Sequence, residues 1–138
     1  MATPFNGWAL GRRVACALTV LVGAMVTGAT SATSATAPTP LRMAANSDQG
    51  PPGTTVSFFS GDPCVPPSGS SGASVTLTLG NGQTFAQASF PVSSDGTWRG
   101  TLTIPSVASR SYAVDASCSV SGATSSYATY QTLTYLVT

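Results

Sequence analysis

Two runs with a repeat of two residues, in the second half of the chain, limit its fold more than any other feature. In Ser94-Asp95-Gly96-Thr97-Trp98-Arg99-Gly100-Thr101-Leu102-Thr103-Ile104-Pro105, a Ser-Asp-Gly turn leads into alternation. Trp98, Leu102 and Ile104 share one side; Arg99, Thr101 and Thr103 share the other. After a loop opened by Pro105, the residues Tyr112, Val114, Ala116, Cys118 and Val120 again share one side. Alternate side chains of an extended strand point to opposite faces, whereas a helix would spread both sets around its circumference. Each run needs an apolar layer to receive its buried face, and two packed sheets supply that layer to one another.

The remaining segments follow the same rhythm. Leu41, Met43 and Ala45 alternate with Arg42, Ala44 and Asn46 as a short first strand, closed by a breaker-rich turn over residues 47–53. Residues 54–60 are rich in β-branched and aromatic types; Val56 and Phe58 face inward and Phe59 outward, or Phe59 marks where the strand leaves the sheet. A long loop over 61–72 holds Pro63, Pro66, Pro67 and Cys64. Residues 74–79 place Val75, Leu77 and Leu79 inward, and Gly80-Asn81-Gly82 is a hairpin turn that returns the chain over 83–92. There Ala86, Ala88, Phe90 and Val92 form the buried set, and Pro91 argues for an edge strand. Beyond a small-residue loop at 121–126, a single last strand over 127–137 turns Leu133, Tyr135 and Val137 inward and Tyr130 outward. The expectation is an all-β fold: an immunoglobulin-like antiparallel β-sandwich of about seven strands with one disulfide, over residues 41–138.

A different kind of segment precedes it. Residues 1–37 read as a helical secretory signal peptide with a small-residue tail. Arg12 and Arg13 form the positive region, and residues 14–26 are apolar apart from Thr19 and Gly23, short for a permanent membrane span. Several small-x-small sites put cleavage between 29 and 37, and residues 38–40 are a flexible lead-in. The twin arginines match an export signal weakly, and Cys16 lies at the start of the apolar run rather than after it, where lipidation is not expected. Export to the medium or the cell wall follows, with no permanent membrane span after cleavage and no sorting tail behind the last strand.

Charge is scarce. Charged residues make up 7% of the chain, and none of them is Lys, Glu or His; an average soluble domain carries about 25%. Without a basic patch, nucleic acid is not an expected partner. Without His, there is no Ser-His-Asp or Cys-His site, and the commonest metal ligand is missing. Without Lys, Schiff-base chemistry and a Ser-Lys dyad are excluded. Asp48, Asp62, Asp95 and Asp115 lack calcium-loop spacing. The reading is non-enzymatic, with no catalytic, cofactor-binding or metal residues and no cofactor.

Cys64 and Cys118 remain once Cys16 leaves with the leader, and an isolated pair in an exported chain pairs as a disulfide. Alternating strand directions bring the loop holding Cys64 to the same end as the end of the Cys118 strand. A bridge there ties the two sheets together.

The runs Gly50-Pro51-Pro52-Gly53-Thr54-Thr55-Val56, Ser60-Gly61-Asp62-Pro63-Cys64, Asp95 to Pro105 and Tyr112-Ala113-Val114-Asp115-Ala116-Ser117-Cys118 resemble the secreted immunoglobulin-like modules common in actinobacteria. The resemblance spans nearly all of the chain after the leader and implies an exported or cell-surface sandwich with one disulfide. It departs from antibody domains: Trp98 lies far beyond Cys64, and residue 116 is Ala rather than Tyr. Antigen-type recognition is therefore not implied.

Recognition is expected at one end, from loops 61–72, 93–96 and 121–126, because loops on a rigid sandwich carry binding. Phe59, Trp98 and Tyr130 are the candidate binding surface, although Trp98 reads more readily as a plug at the end of the core, and Phe59 and Tyr130 as exposed. The expected partner is an unidentified protein or an envelope glycan, in adhesion, envelope association or partner binding. The alternatives are a small-ligand carrier resembling the chromoprotein apoproteins, with a cleft lined by Trp98, Phe90 and Tyr112, and a secreted protease inhibitor using the Pro-rich Cys64 loop.

Overall fold

The computed structural model describes residues 37–138, so the leader reading over 1–37, including Arg12, Arg13 and Cys16, lies outside the described residues but for Ala37. In chain order the strands are β1 (Met43–Ala45), β2 (Gln49–Gly50), β3 (Thr55–Ser60), β4 (Ala73–Gly80), β5 (Thr84–Pro91), β6 (Arg99–Thr103), β7 (Ser111–Val120), β8 (Ser126–Thr129) and β9 (Leu133–Val137). They form a three-stranded sheet, β1-β3-β6, and a six-stranded sheet, β2-β9-β7-β4-β5, with β8 also paired to β7. The order β9-β7-β4, with β5 added beside β4 and β1-β3-β6 in the other layer, is an immunoglobulin-type arrangement. The fold is all-β, and Cys64 is bonded to Cys118.

The alternation seen in the sequence becomes the core. Val56 and Phe58 from β3, with Leu102 and Ile104 at β6, belong to one buried cluster with Val75, Leu77 and Leu79 from β4, Tyr112, Val114 and Ala116 from β7, and Tyr135 and Val137 from β9. Ala86, Ala88, Phe90 and Val92 pack against its margin, as expected of a strand at the sheet edge, and β5 is that edge.

One gap in the inward row of β6 is filled from the other sheet. Trp98, Leu102 and Ile104 are buried, but the residue between them is Gly100, and a Cβ there would overlap the Phe90 ring. The missing side chain of β6 thus makes room for an aromatic ring of β5. Gly100→Val is expected to drive that ring outward and cost about 1–3 kcal/mol, the usual penalty for overpacking. Adding Phe90→Ala should return part of the loss in a double-mutant cycle followed by urea unfolding. An unchanged midpoint in Gly100→Val alone would show that the ring is not held there.

Three features differ from the expected seven antiparallel strands. The turn expected over 47–53 contains β2, which pairs in parallel with β9 (Gln49 opposite Leu136, Gly50 opposite Val137). The opening segment therefore bridges Tyr130 at Leu41, joins one sheet at β1 and crosses to the edge of the other at β2. The expected last strand is split into β8 and β9, both paired with β7. The physical reason lies in parity. Ala128 lies opposite the buried Cys118, and Tyr135 lies opposite the buried Tyr112. Even-numbered residues face inward before the break and odd-numbered ones after it, and a slip of one residue is what exchanges the faces of a strand. Tyr130 falls on the inward side of that break and is buried, not outward as its spacing from Tyr135 suggests.

Candidate functional site

The three loops expected to share one end do meet there. Cys64 N–H donates to Gly96 O at 2.9 Å, joining loop 61–72 to turn 93–96. Ser121 N–H donates to Gly72 O at 3.0 Å, joining the same loop to the one after β7. Tyr127 Oη–H donates to Cys64 O at 2.9 Å, and the disulfide fixes Cys64 to β7. Gly96 is required at its position: its φ is +84°, and a Cβ would lie 2.6 Å from Val65 N and 2.8 Å from the Cys64 carbonyl carbon. A turn in the left-handed region thus packs backbone to backbone against the bridged loop, which a side chain would prevent.

Beneath this rim is a chain of buried polar contacts. Trp98 is 4% exposed and Tyr130 5%. Their rings meet edge to face, 5.4 Å between centroids at 80°. Trp98 Nε1–H donates to Tyr130 Oη at 2.8 Å, and Tyr130 Oη–H donates to Asp62 O at 2.9 Å. The two polar tips are satisfied by each other and by the backbone, which is how large aromatic side chains with a polar group are accommodated in a core. Burial pushes the Tyr130 hydroxyl above the ordinary tyrosine range. Of the three candidate binding residues, Trp98 is thus the core plug, and Tyr130 is a buried support behind it; the exposed surface expected of Tyr130 is not there.

Phe59 is half-buried and lies directly across from Arg99 in the β3–β6 register. The Arg99 guanidinium carbon sits 5.7 Å from the Phe59 ring centroid. Phe59 and Arg99, together with Ser60, Ser93, Thr97 and Trp98, line a cleft of about 380 Å³. This is where a binding site can be built from the sequence candidates: Phe59 opens onto the cleft, Trp98 closes its floor, and Tyr130 holds Trp98 in place.

Arg99, Ser60, Ser93 and Thr97 were not candidates from sequence. The signal for Arg99 existed, as the residue after Trp98 on the outward face, but its partner Phe59 is 40 residues away and is found only through the strand register.

The acids near the rim are engaged. Arg42 donates to Asp62 from its backbone N–H at 2.8 Å, from Nε at 3.0 Å and from a terminal guanidinium nitrogen at 2.9 Å. These hydrogen bonds hold the Asp62 carboxyl below the usual carboxylate range. Asp95 accepts from Thr97 Oγ1 at 2.7 Å and from Thr97 N–H at 3.0 Å, which lowers its pKa in the same way. Asp95 is thus a turn-former within this fold, as Ser-Asp-Gly suggests.

No three His, Cys, Asp or Glu residues come together to hold a metal ion, and no helix is long and apolar enough to cross a membrane, among the described residues. Comparison with protein-family models, with curated proteins and with solved structures finds no match to this chain.

Proposed function

We propose that this chain is a non-enzymatic extracellular binding module that attaches to a protein or glycan of the cell envelope through the rim described above. The observation that carries the reading is the rim itself: three loops locked by one disulfide and by hydrogen bonds, beside a cleft that opens on Phe59 and Arg99. A rigid, preassembled loop surface loses little conformational freedom on binding. A disulfide suits an oxidising compartment, which agrees with the signal-like leader. The absence of His and Lys from the whole sequence supports binding rather than catalysis.

The test is retention of the purified protein on isolated envelope fractions and capture of partners from culture medium. Saturable retention, reduced when cleft residues are replaced, is the expected result. A protein that stays free in both settings is no envelope-binding module.

A protease inhibitor is the second reading, favoured by Val65. That side chain is 59% exposed and follows the bridged Cys64. Pro66 and Pro67 press Val65 and Pro66 toward extended conformations, the form in which a protease groove receives a peptide. Incubation with elastase-type and trypsin-type proteases separates the readings: a stoichiometric complex with the chain uncleaved supports inhibition, and indifference removes it. The carrier reading is less favoured, because Trp98 and Tyr112 are largely buried in the core and Phe90 packs over Gly100.

A further inference from the structure

The cleft of Phe59 and Arg99 has a chemistry of its own. Arg99 is the one cation lining it, and among the described residues its guanidinium makes no hydrogen bond or ion pair to protein. Its contact is the Phe59 ring, on which it lies at 5.7 Å. A guanidinium carries its N–H donors in its own plane, so an aromatic ring against one face positions the charge while leaving the donors directed outward.

Hydroxyl side chains line the same cleft. Ser93 Oγ makes no hydrogen bond among the described residues, Ser60 Oγ accepts from Trp98 N–H at 3.2 Å, and Thr97 Oγ1 donates to Asp95 and keeps its lone pairs for an incoming donor. The neighbouring carboxylates are already occupied, Asp95 by Thr97 and Asp62 by Arg42. The aromatic residues offer little to a flat apolar ligand: Trp98 is buried, and Arg99 covers a face of Phe59. What the cleft presents is a planar cation resting on an aromatic ring, without a protein hydrogen-bond partner among the described residues, beside neutral hydroxyls.

We propose that this cleft binds the carboxylate of an acidic sugar residue in a glycan chain. Arg99 pairs with both carboxylate oxygens, and Ser93, Ser60 and Thr97 meet the ring hydroxyls. The planar fork of arginine matches a carboxylate in two parallel hydrogen bonds. The size of the cleft lies within the range of small-ligand sites. A phosphodiester polymer shares the oxyanion chemistry, and the experiment distinguishes it. This inference rests on the binding-module reading and names its ligand class.

The full-length protein is titrated with oligogalacturonate, followed by calorimetry and by NMR shifts at the Arg99 Nε–H and at the Ser93 and Thr97 amides. Saturable binding with shifts at those three residues is expected. Arg99→Gln should weaken it about tenfold or more, and Arg99→Lys by less, since an ammonium keeps the charge but not the fork. Arg110→Gln is the control: it removes the same charge beyond the opposite end of β7 and should leave affinity unchanged. The fully methyl-esterified oligomer should not bind.

Equal binding of the ester, or equal losses in Arg99→Gln and Arg110→Gln, overturns the proposal. So does binding of poly(glycerol phosphate) in place of galacturonate. If oligogalacturonate fails to bind while envelope fractions still retain the protein, this ligand assignment falls and the module reading stands. If neither binds, both fall.

Discussion

Replacing Cys64 and Cys118 together with Ala is expected to lower the free energy of unfolding by about 4 kcal/mol. The bond joins residues 54 apart in sequence, and opening a loop of that length returns about this much chain entropy to the unfolded state in the loop-closure account. Folded domains are stable by only about 5–15 kcal/mol, so the loss takes a large part of the total. Both sulfurs are buried, and the Ala pair leaves a small void that adds to the cost. Urea unfolding should show a lower midpoint, with a steeper slope from the more expanded unfolded chain. The rim should respond as well. Without the bond, Cys64 is held by its contacts to Gly96 and Tyr127, and cleavage after Val65 or within 66–72 by a broad protease should quicken. A double variant within about 1 kcal/mol of the parent, with an unchanged slope, would mean that the bridge is incidental to this fold.

Trp98→Ala is expected to cost about 3–5 kcal/mol, the range for deleting a buried large aromatic side chain. Three losses combine. The indole leaves a cavity between the sheets at the rim end. The edge-to-face contact with Tyr130 disappears. Tyr130 Oη loses the Nε1–H donor but keeps its own bond to Asp62 O, so the hydroxyl is not orphaned. Trp98→Phe separates the contributions: it keeps most of the volume, and should cost about 1–2 kcal/mol through the lost hydrogen bond and imperfect packing. Combining it with Tyr130→Phe should give a sum smaller than the two separate losses, because both remove the same bond. If Trp98 were instead displayed for a ligand, Trp98→Ala would stay within about 0.5 kcal/mol of the parent in stability and lose binding alone. Arg99, the residue replaced to test the proposed glycan site, is unlike Trp98 in this respect. Arg99 is exposed, and its replacement should change binding with little effect on the unfolding midpoint.

The strand interiors were legible because a repeat of two is a local property. Val75, Leu77 and Leu79, or Tyr112, Val114 and Ala116, carry their inward face in their spacing, and no distant residue is needed to assign it. The hairpin at Gly80-Asn81-Gly82 was equally local. The bridge was legible for a different reason. Once Cys16 is set aside with the expected leader, Cys64 and Cys118 have one possible pairing, and alternating strand directions placed both at the same end.

The site was only partly legible. Phe59, Trp98 and Tyr130 do gather at one rim, but the spacing within the last segment put Tyr130 on the wrong face. A break between β8 and β9 reverses the parity there, and nothing in Tyr130-Gln131-Thr132 announces it without the buried Trp98 and the backbone carbonyl of Asp62, to which the ring's hydroxyl is bonded. Arg99 was visible as an outward residue and nothing more. Its position over Phe59 follows from the β3–β6 register, and the parallel pairing of β2 with β9 follows from which sheet edge lay open.

By itself the sequence determined the all-β class, the inward face of the central strands and the identity of the bonded cysteines, since each is set by neighbours along the chain or by elimination among few residues. Tertiary structure alone decided the register between distant strands, the reversal that buries Tyr130 and the setting of Arg99 on Phe59. These depend on which of several sterically allowed pairings buries the most side-chain surface while satisfying its polar groups, and that balance exists only once both layers are in contact.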